Sequence, residues 1–322
     1  MQTMPHIIAW EVTRRCGLKC QHCRGASTAG GYDNEFSTAE CLKTIAAIAR
    51  VARPMIILTG GEPLMRADIL DIAGYATRSG CRVVMATCGH LLTPVIAEKL
   101  KSSGVMAVSI SLDAATAAEH DAFRGVTGAF DASLRGLACL KAAGIPFQVN
   151  TTVSRLNATD LPRILDLAVV LGASAIDFFF LVPTGRGAAI ADLELDAAER
   201  DNALRWIASK ERTSPLRVRT TCAPQYKQFR LPDDNPERPS PPFHGCLGGR
   251  GFAFLSHTGT LQPCGFLDIP CGDLRSVDYD FPRLVNESSV FKRMQASNPY
   301  DECPARKHAR ANPARTGPTS PA

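Results

Sequence analysis

Three cysteines, Cys16, Cys20 and Cys23, stand in the run Glu11-Val-Thr-Arg-Arg-Cys-Gly-Leu-Lys-Cys-Gln-His-Cys-Arg24, directly after a strand-like apolar stretch. Thiolates at C-x3-C-x2-C spacing can hold three irons of a cubane 4Fe-4S cluster and leave the fourth iron without a protein ligand, open to chemistry. A zinc site wants four ligands, usually as two separated pairs. The nearest fourth candidate, His22, lies between two of the thiols, where it cannot readily turn inward with them.

Two later segments add polar groups. Thr59-Gly60-Gly61-Glu62-Pro63 follows the strand-like Met55 to Leu58. Adjacent glycines let a backbone approach a ligand closely, and Glu62 offers a carboxylate to an ammonium. Taken alone, such a turn is an ordinary loop. Val105 to Asp113 alternates so that Ser109, Ser111 and Asp113 share one face of a strand, which in isolation reads as a polar side turned to water.

In this order the three motifs resemble those of the radical S-adenosylmethionine (SAM) enzymes. The resemblance implies that Cys16, Cys20 and Cys23 hold the SAM-binding cluster. Gly60, Gly61, Glu62 and Pro63 would then bind the methionine amino group, and Ser109, Ser111 and Asp113 would line its ribose and methionine moieties. It also sets Arg124, in a loop from His120 to Gly125, against the SAM carboxylate. Arg186, in Pro183-Thr-Gly-Arg-Gly187, belongs to a loop facing the adenosyl group, and Asn150 joins the cofactor-facing set. Thr87-Cys88-Gly89 stands where many relatives carry Thr-Asn-Gly, and Cys88 reads as a small buried side chain.

Positioning these residues falls to alternating strands and helices at about thirty-residue intervals, the spacing of βα units. Strands are expected at Ile7 to Val12, Met55 to Thr59, Arg82 to Thr87, Val105 to Leu112, Pro146 to Val153 and Ala175 to Val182. Helices are expected near Ser37 to Val51, Asp68 to Ser79, Pro94 to Ser102, Phe130 to Ala143 and Ala158 to Leu171. Ser37 and Asp68 are candidate caps, and Gly80, Gly104, Gly144 and Gly172 candidate stops. The repeat predicts an α/β fold with a parallel sheet and right-handed crossovers. With the resemblance it becomes a partial (β/α)6 TIM-like barrel over residues 1–214, its site at the C-terminal ends of the strands.

Beyond the barrel, Leu231 to Pro242 is too rich in proline for a helix or a central strand, and 215–245 reads as a linker or lid. Phe252 to Ser256 and Thr260 to Gln262 read as a hairpin that brings Cys246 and Cys264 to one end. This part, 246–304, resembles the SPASM-type extension, which holds an auxiliary iron-sulfur cluster. The family's dense cysteine run is missing. Only Cys271 and Cys303 remain to join Cys246 and Cys264, so either the chain is truncated or frame-shifted near its end or the auxiliary site has fewer ligands. Residues 305–322, rich in Pro, Ala and Arg, read as a disordered tail.

The whole chain has 322 residues, 45% of them hydrophobic, twelve cysteines and a formal charge of +5 without a basic stripe. That balance gives no sign of a nucleic-acid binder. No apolar run approaches the roughly twenty residues of a membrane span, and the N-terminus does not resemble a signal peptide. A cytoplasmic location is expected, with cysteines used for metal ligation or as thiols. Arg14, Arg15, Arg24, Arg124, Arg186 and Arg250 lie in or beside the motifs and suit a ligand bearing carboxylates.

Within the superfamily, Pro5 to Cys16, the His-Cys-Arg end of the cysteine loop and Phe254-Leu-Ser-His-Thr-Gly-Thr-Leu-Gln-Pro-Cys-Gly-Phe266 look closest to the tetrapyrrole-modifying branch. That branch decarboxylates iron-coproporphyrin to heme b and contributes to heme d1 formation. The resemblance implies a 5'-deoxyadenosyl radical acting on a propionate side chain, and a reductant such as ferredoxin or flavodoxin. A SPASM enzyme modifying a ribosomal peptide is the alternative, though the few residues before the first strand leave no room for a peptide-recognition domain. An iron-sulfur electron carrier would not need the SAM motifs.

Overall fold

The computed structural model of the chain describes residues 4–230, 246–296 and 303. Six βα units open it: β1 (Ile7–Thr13), α1 (Thr38–Val51), β2 (Met55–Gly60), α2 (Ile69–Arg78), β3 (Arg82–Thr87), α3 (Pro94–Ser102), β4 (Ala107–Ser111), α4 (Ala117–Arg124), α5 (Ala129–Ala143), β5 (Phe147–Val153), α6 (Leu161–Leu171), β6 (Ala175–Phe180) and α7 (Ala197–Thr213). Then come β7 (Arg217–Thr221), β8 (Phe252–Leu255), β9 (Leu261–Gln262), α8 (Phe281–Glu287) and α9 (Ser289–Ala296). One sheet takes all the strands in the order β7-β6-β5-β4-β3-β2-β1-β8-β9, parallel except for the β8-β9 hairpin.

Strand alternation separates two faces. Ile8, Trp10, Val12, Ile56, Leu58, Val83, Met85, Val108 and Ile110 are buried, as strands covered by helices require. Their neighbours Thr59, Ala86, Ser109, Ser111 and Asn150 are only half-buried and turn to the other face. Ser37 caps α1 with Glu40 in a capping box, and Gly144 and Gly172 close α5 and α6 in left-handed conformation. Asp68 makes no capping hydrogen bond; its carboxylate takes Arg66 at 2.7 Å and Thr38 at 2.6 Å instead.

Four segments differ from the sequence expectation. Residues 120–124 are helical, because Thr116 caps α4 through the amide of Glu119 and left-handed Gly125 ends it. α7, with its own Asp196/Glu199 capping box, carries only a weak apolar face, which hides it in the sequence pattern. Residues 217–221, expected in the linker, form β7 and extend the parallel sheet. The C-terminal hairpin forms as expected, but β8 also pairs with β1, so the extension continues the barrel sheet. The Pro-rich 231–242 segment and the 305–322 tail lie outside the described residues.

Candidate active site and cysteine centres

The loop after β1 carries Cys16, Cys20 and Cys23, and the surrounding chain presses closely on it. A Cβ on Gly185 would lie 2.1 Å from the Arg24 carbonyl, and one on Gly125 would lie 2.7 Å from that of Lys19. Both glycines have positive φ, so glycine is required twice over. Arg186 donates from Nε to the Cys20 carbonyl (2.9 Å) and from a terminal nitrogen to that of Ser27 (2.7 Å), pinning the loop from above. His22 turns away from the thiols and stacks on Phe123 at 4.3 Å. Burial pushes its imidazole down to about 3, with Arg124 adding to the effect, so the ring is neutral.

Among the described residues, only Glu62, Cys88 and His90 bring ligand atoms within 4.8 Å of one another, the spacing one ion needs. Cys16 and Cys20 are buried in one cluster and Cys23 packs against it, so the three thiols of the loop gather at one place, as a cubane whose irons each take one thiolate requires. The donor set therefore fits a 4Fe-4S cluster. The contact with Cys88 draws the Cys16 thiol down, while Cys88 itself is raised. Cys20 is raised by burial and opposed by Arg124, whose guanidinium lies 3.6 Å from Cys20 Sγ.

Glu62 is wholly buried. Its carboxylate accepts the Thr87 hydroxyl (2.7 and 2.8 Å), the Leu64 amide (3.0 Å), the Cys88 amide (2.9 Å) and the Cys88 thiol (2.7 Å). An ammonium must displace one of these donors, and the thiol is the weakest. Gly60 and Gly61 serve the chain's own backbone: the Gly61 and Glu62 amides donate to the carbonyls of Thr13 and Arg15, both at 2.7 Å, where a side chain would collide. Pro63 opens the short 3-10 turn that follows.

Asp113 lies past the end of β4, buried, 2.6 Å from Arg124. Burial pushes its carboxyl up, but the Arg124 guanidinium more than reverses this, so Asp113 is ionised and the pair is closed. Arg124 thus ties Asp113 to the cysteine loop. Ser109 and Ser111 share the inner face with Asn150, which pairs with Ser111 in register and accepts from Gln148 at 2.7 Å.

A second network joins this loop to the extension. Buried Glu11 holds Arg24 at 2.9 Å and Arg14 at 3.1 Å, with His257 3.4 Å away, and Arg24 also stacks over Phe254 at 4.4 Å and donates to the Gly265 carbonyl. Burial pushes Glu11 up, and His257, Arg24 and Arg14 together bring it below the usual carboxylate range. Nothing in the linear sequence joins Glu11 to His257.

Of the thiols proposed for an auxiliary site, Cys246, Cys264 and Cys303 come together; Cys271 does not. Cys271 sits against the Ile269 carbonyl and Ser288, raised to about 11 by burial. The fourth member is Cys222, just after β7. It is raised by burial and then by Cys264, Cys246 and Cys303, while Cys264 is pushed up to about 12 by burial and by two of the same neighbours. Thiols that oppose one another's ionisation are relieved when iron replaces their protons, so the set fits a second cluster. Cys222 has φ +59, a strained conformation for a side-chain-bearing residue, and buried Arg200 donates to its carbonyl at 3.3 Å. In sequence Cys222 precedes the Pro-rich stretch, far from the hairpin that carries Cys246 and Cys264, so no local pattern groups it with them.

No disulfide joins any of the twelve cysteines, and among the described residues no helix is long and apolar enough to cross a membrane.

The Radical SAM superfamily model matches residues 10–168. The chain is 43% identical over 303 residues to the AdoMet-dependent heme synthase of Nitratidesulfovibrio vulgaris, covering 91% of this chain and 82% of that one. It is 42% identical over 306 residues to the AdoMet-dependent heme synthase of Methanosarcina barkeri, covering 92% and 86%. In fold it is similar to Streptococcus suis SuiB bound to S-adenosylmethionine, with a TM-score of 0.73 at 13% identity over 91% of this chain and 68% of that one.

Proposed function

Because this chain belongs to the radical SAM superfamily, we propose that it acts on a tetrapyrrole in heme biosynthesis, oxidatively decarboxylating propionate side chains of iron-coproporphyrin to form heme b. The observation that carries the reading is likeness along nine-tenths of the chain to proteins named as AdoMet-dependent heme synthases. The presence of two separate thiol centres supports it.

Cys16, Cys20 and Cys23 would hold the SAM-binding cluster, and Cys222, Cys246, Cys264 and Cys303 the auxiliary one. When bound, the first cluster and SAM supply a 5'-deoxyadenosyl radical. The proposed reaction would take from a propionate arm one hydrogen atom, carbon dioxide and one electron, leaving a vinyl group. The departing electron needs an acceptor close to the substrate, which a cluster held by Cys222, Cys246, Cys264 and Cys303 would supply when bound.

The chain's own residues orient and enclose. Arg186 and Gly185 hold the cysteine loop down. Arg124 and Asp113 neutralise one another, so the wall beside Cys20 carries no net charge to attract water. Glu62 and the inner-face residues Ser109, Ser111 and Asn150 are assigned to SAM, with the Cys88 thiol yielding its place on Glu62 to the methionine ammonium. A low-potential donor such as ferredoxin or flavodoxin would feed the first cluster, and the reducing cytoplasm is the setting we assign.

Anaerobic incubation of the reconstituted protein with SAM, a strong reductant and iron-coproporphyrin tests the reading, following 5'-deoxyadenosine and porphyrin mass together. Loss of carboxyl mass in step with 5'-deoxyadenosine is expected. Formation of 5'-deoxyadenosine with unchanged porphyrin would move the substrate to another tetrapyrrole or to a peptide.

A further inference from the structure

The inner face runs in register from the SAM-assigned residues to the edge of the sheet: Ser111 lies opposite Asn150, Asn150 opposite Asp177, and Asp177 opposite Arg219. Paired residues of neighbouring parallel strands share a face. Phe178 and Phe180 mark the other side, since Phe178 packs edge-on against Trp206 of α7 at 5.9 Å and Arg200 of the same helix covers Phe180. Asp177 and Arg219 therefore point inward, level with Asn150. β7 ends the sheet on this side, so Arg219 borders the open flank of the incomplete barrel.

Neither side chain is spent on the fold. Asp177 is 7% exposed; its Oδ2 accepts from the Thr221 hydroxyl at 3.1 Å, and its Oδ1 has no partner. Burial pushes its carboxyl up to about 6, opposed by Thr221 and Arg219. Arg219 is exposed, touches Gln148 at 3.5 Å and closes no ion pair among the described residues, reaching Asp177 only through space. A planar guanidinium that closes no ion pair suits a guest that accepts hydrogen bonds in a fork, whereas the buried Asp177 carboxylate beside it only accepts and steers the guanidinium through its charge.

We propose that Arg219, its guanidinium steered by the buried charge of Asp177, forms a carboxylate-binding subsite on the inner wall, which takes a propionate arm of the substrate as it enters from the open flank. This rests on the tetrapyrrole reading above. Two carboxylates reach this wall, the substrate's and that of the methionine moiety of SAM; Arg219 is assigned to the substrate because it stands at the edge of the sheet, beyond Asn150 and Asp177.

The test titrates reconstituted wild-type, R219M, R219K and D177N enzyme with iron-coproporphyrin, read by the Soret band, and separately with SAM by equilibrium dialysis. R219M is expected to weaken iron-coproporphyrin binding about ten- to a hundredfold, the worth of a charged hydrogen-bonded contact. R219K should restore part of it, D177N should not weaken it because the amide removes a like charge from beside the guest, and SAM affinity should hold in all three. Unchanged iron-coproporphyrin affinity in R219M overturns the subsite. Loss of SAM affinity alone also overturns it, by moving the guanidinium to the cofactor. Wild-type enzyme that binds SAM but no iron-coproporphyrin overturns the tetrapyrrole reading itself, and the subsite with it.

Discussion

The Cys88 thiol donates to Glu62 Oε2 at 2.7 Å, and its sulfur also lies beside Cys16, so the assigned SAM-binding carboxylate and the cysteine loop meet at one side chain. Glu62 has no exposure to solvent, so every donor aimed at it depends on it. Replacing it orphans the Thr87 hydroxyl and the amides of Leu64 and Cys88. E62A should lose about 3 kcal/mol of stability in the cluster-free protein, and SAM binding with it. C88A removes only the weakest donor and should cost clearly less. Thermal unfolding of the two variants side by side checks the order, and equal losses would show that the thiol is no minor partner.

Asp113 and Arg124 form a buried, closed pair at 2.6 Å. Removing the cation leaves an uncompensated buried carboxylate, a change that costs about 3 to 5 kcal/mol. R124M should therefore unfold at markedly lower denaturant, and R124M/D113N should recover much of the loss. Because Arg124 also touches Cys20, iron retention should fall in R124M before the fold does.

His120 gives the fold an acid limit. Buried beside Arg124, with Asp113 and Asp121 as its acidic neighbours, it accepts the Asp113 amide on Nδ1, and burial pushes it down to about 4. A histidine depressed in the folded state binds its proton more readily when unfolded. Its contribution is therefore fully present above about pH 6.5 and is lost as pH falls toward 4. H120Q should flatten the stability curve between those values in urea unfolding; a curve as steep as that of the wild type would remove His120 as the cause.

The auxiliary assignment separates two cysteines that look alike in sequence. C222S should lower iron from about eight to about four per chain, the content of one cubane, and remove one set of signals from the paramagnetic resonance spectrum. C271S should leave both intact. Iron loss in C271S with none in C222S would reverse the assignment.

Much of the barrel was legible because its signals are local. Strand alternation, the Ser37/Glu40 capping box and the glycines after the helices each depend on neighbours a few residues away, and β3 and α3 lie where the pattern puts them. The C-x3-C-x2-C loop is likewise a short-range arrangement, in which spacing by itself determines how many thiolates can face one cluster. The residues that complete the sites are decided over long separations. Cys222 joins Cys264 only because β7 pairs with β6 while β8 pairs with β1, which no periodicity encodes. Glu62 is saturated by Thr87 and Cys88 because β2 and β3 end side by side, and Arg186 holds the cysteine loop only once β6 has brought it there. The sequence alone determined the fold class and the first thiol centre, through spacing and alternation. The tertiary structure decided the partners of every buried charge, because desolvation makes each of them depend on whichever distant group the packing delivers.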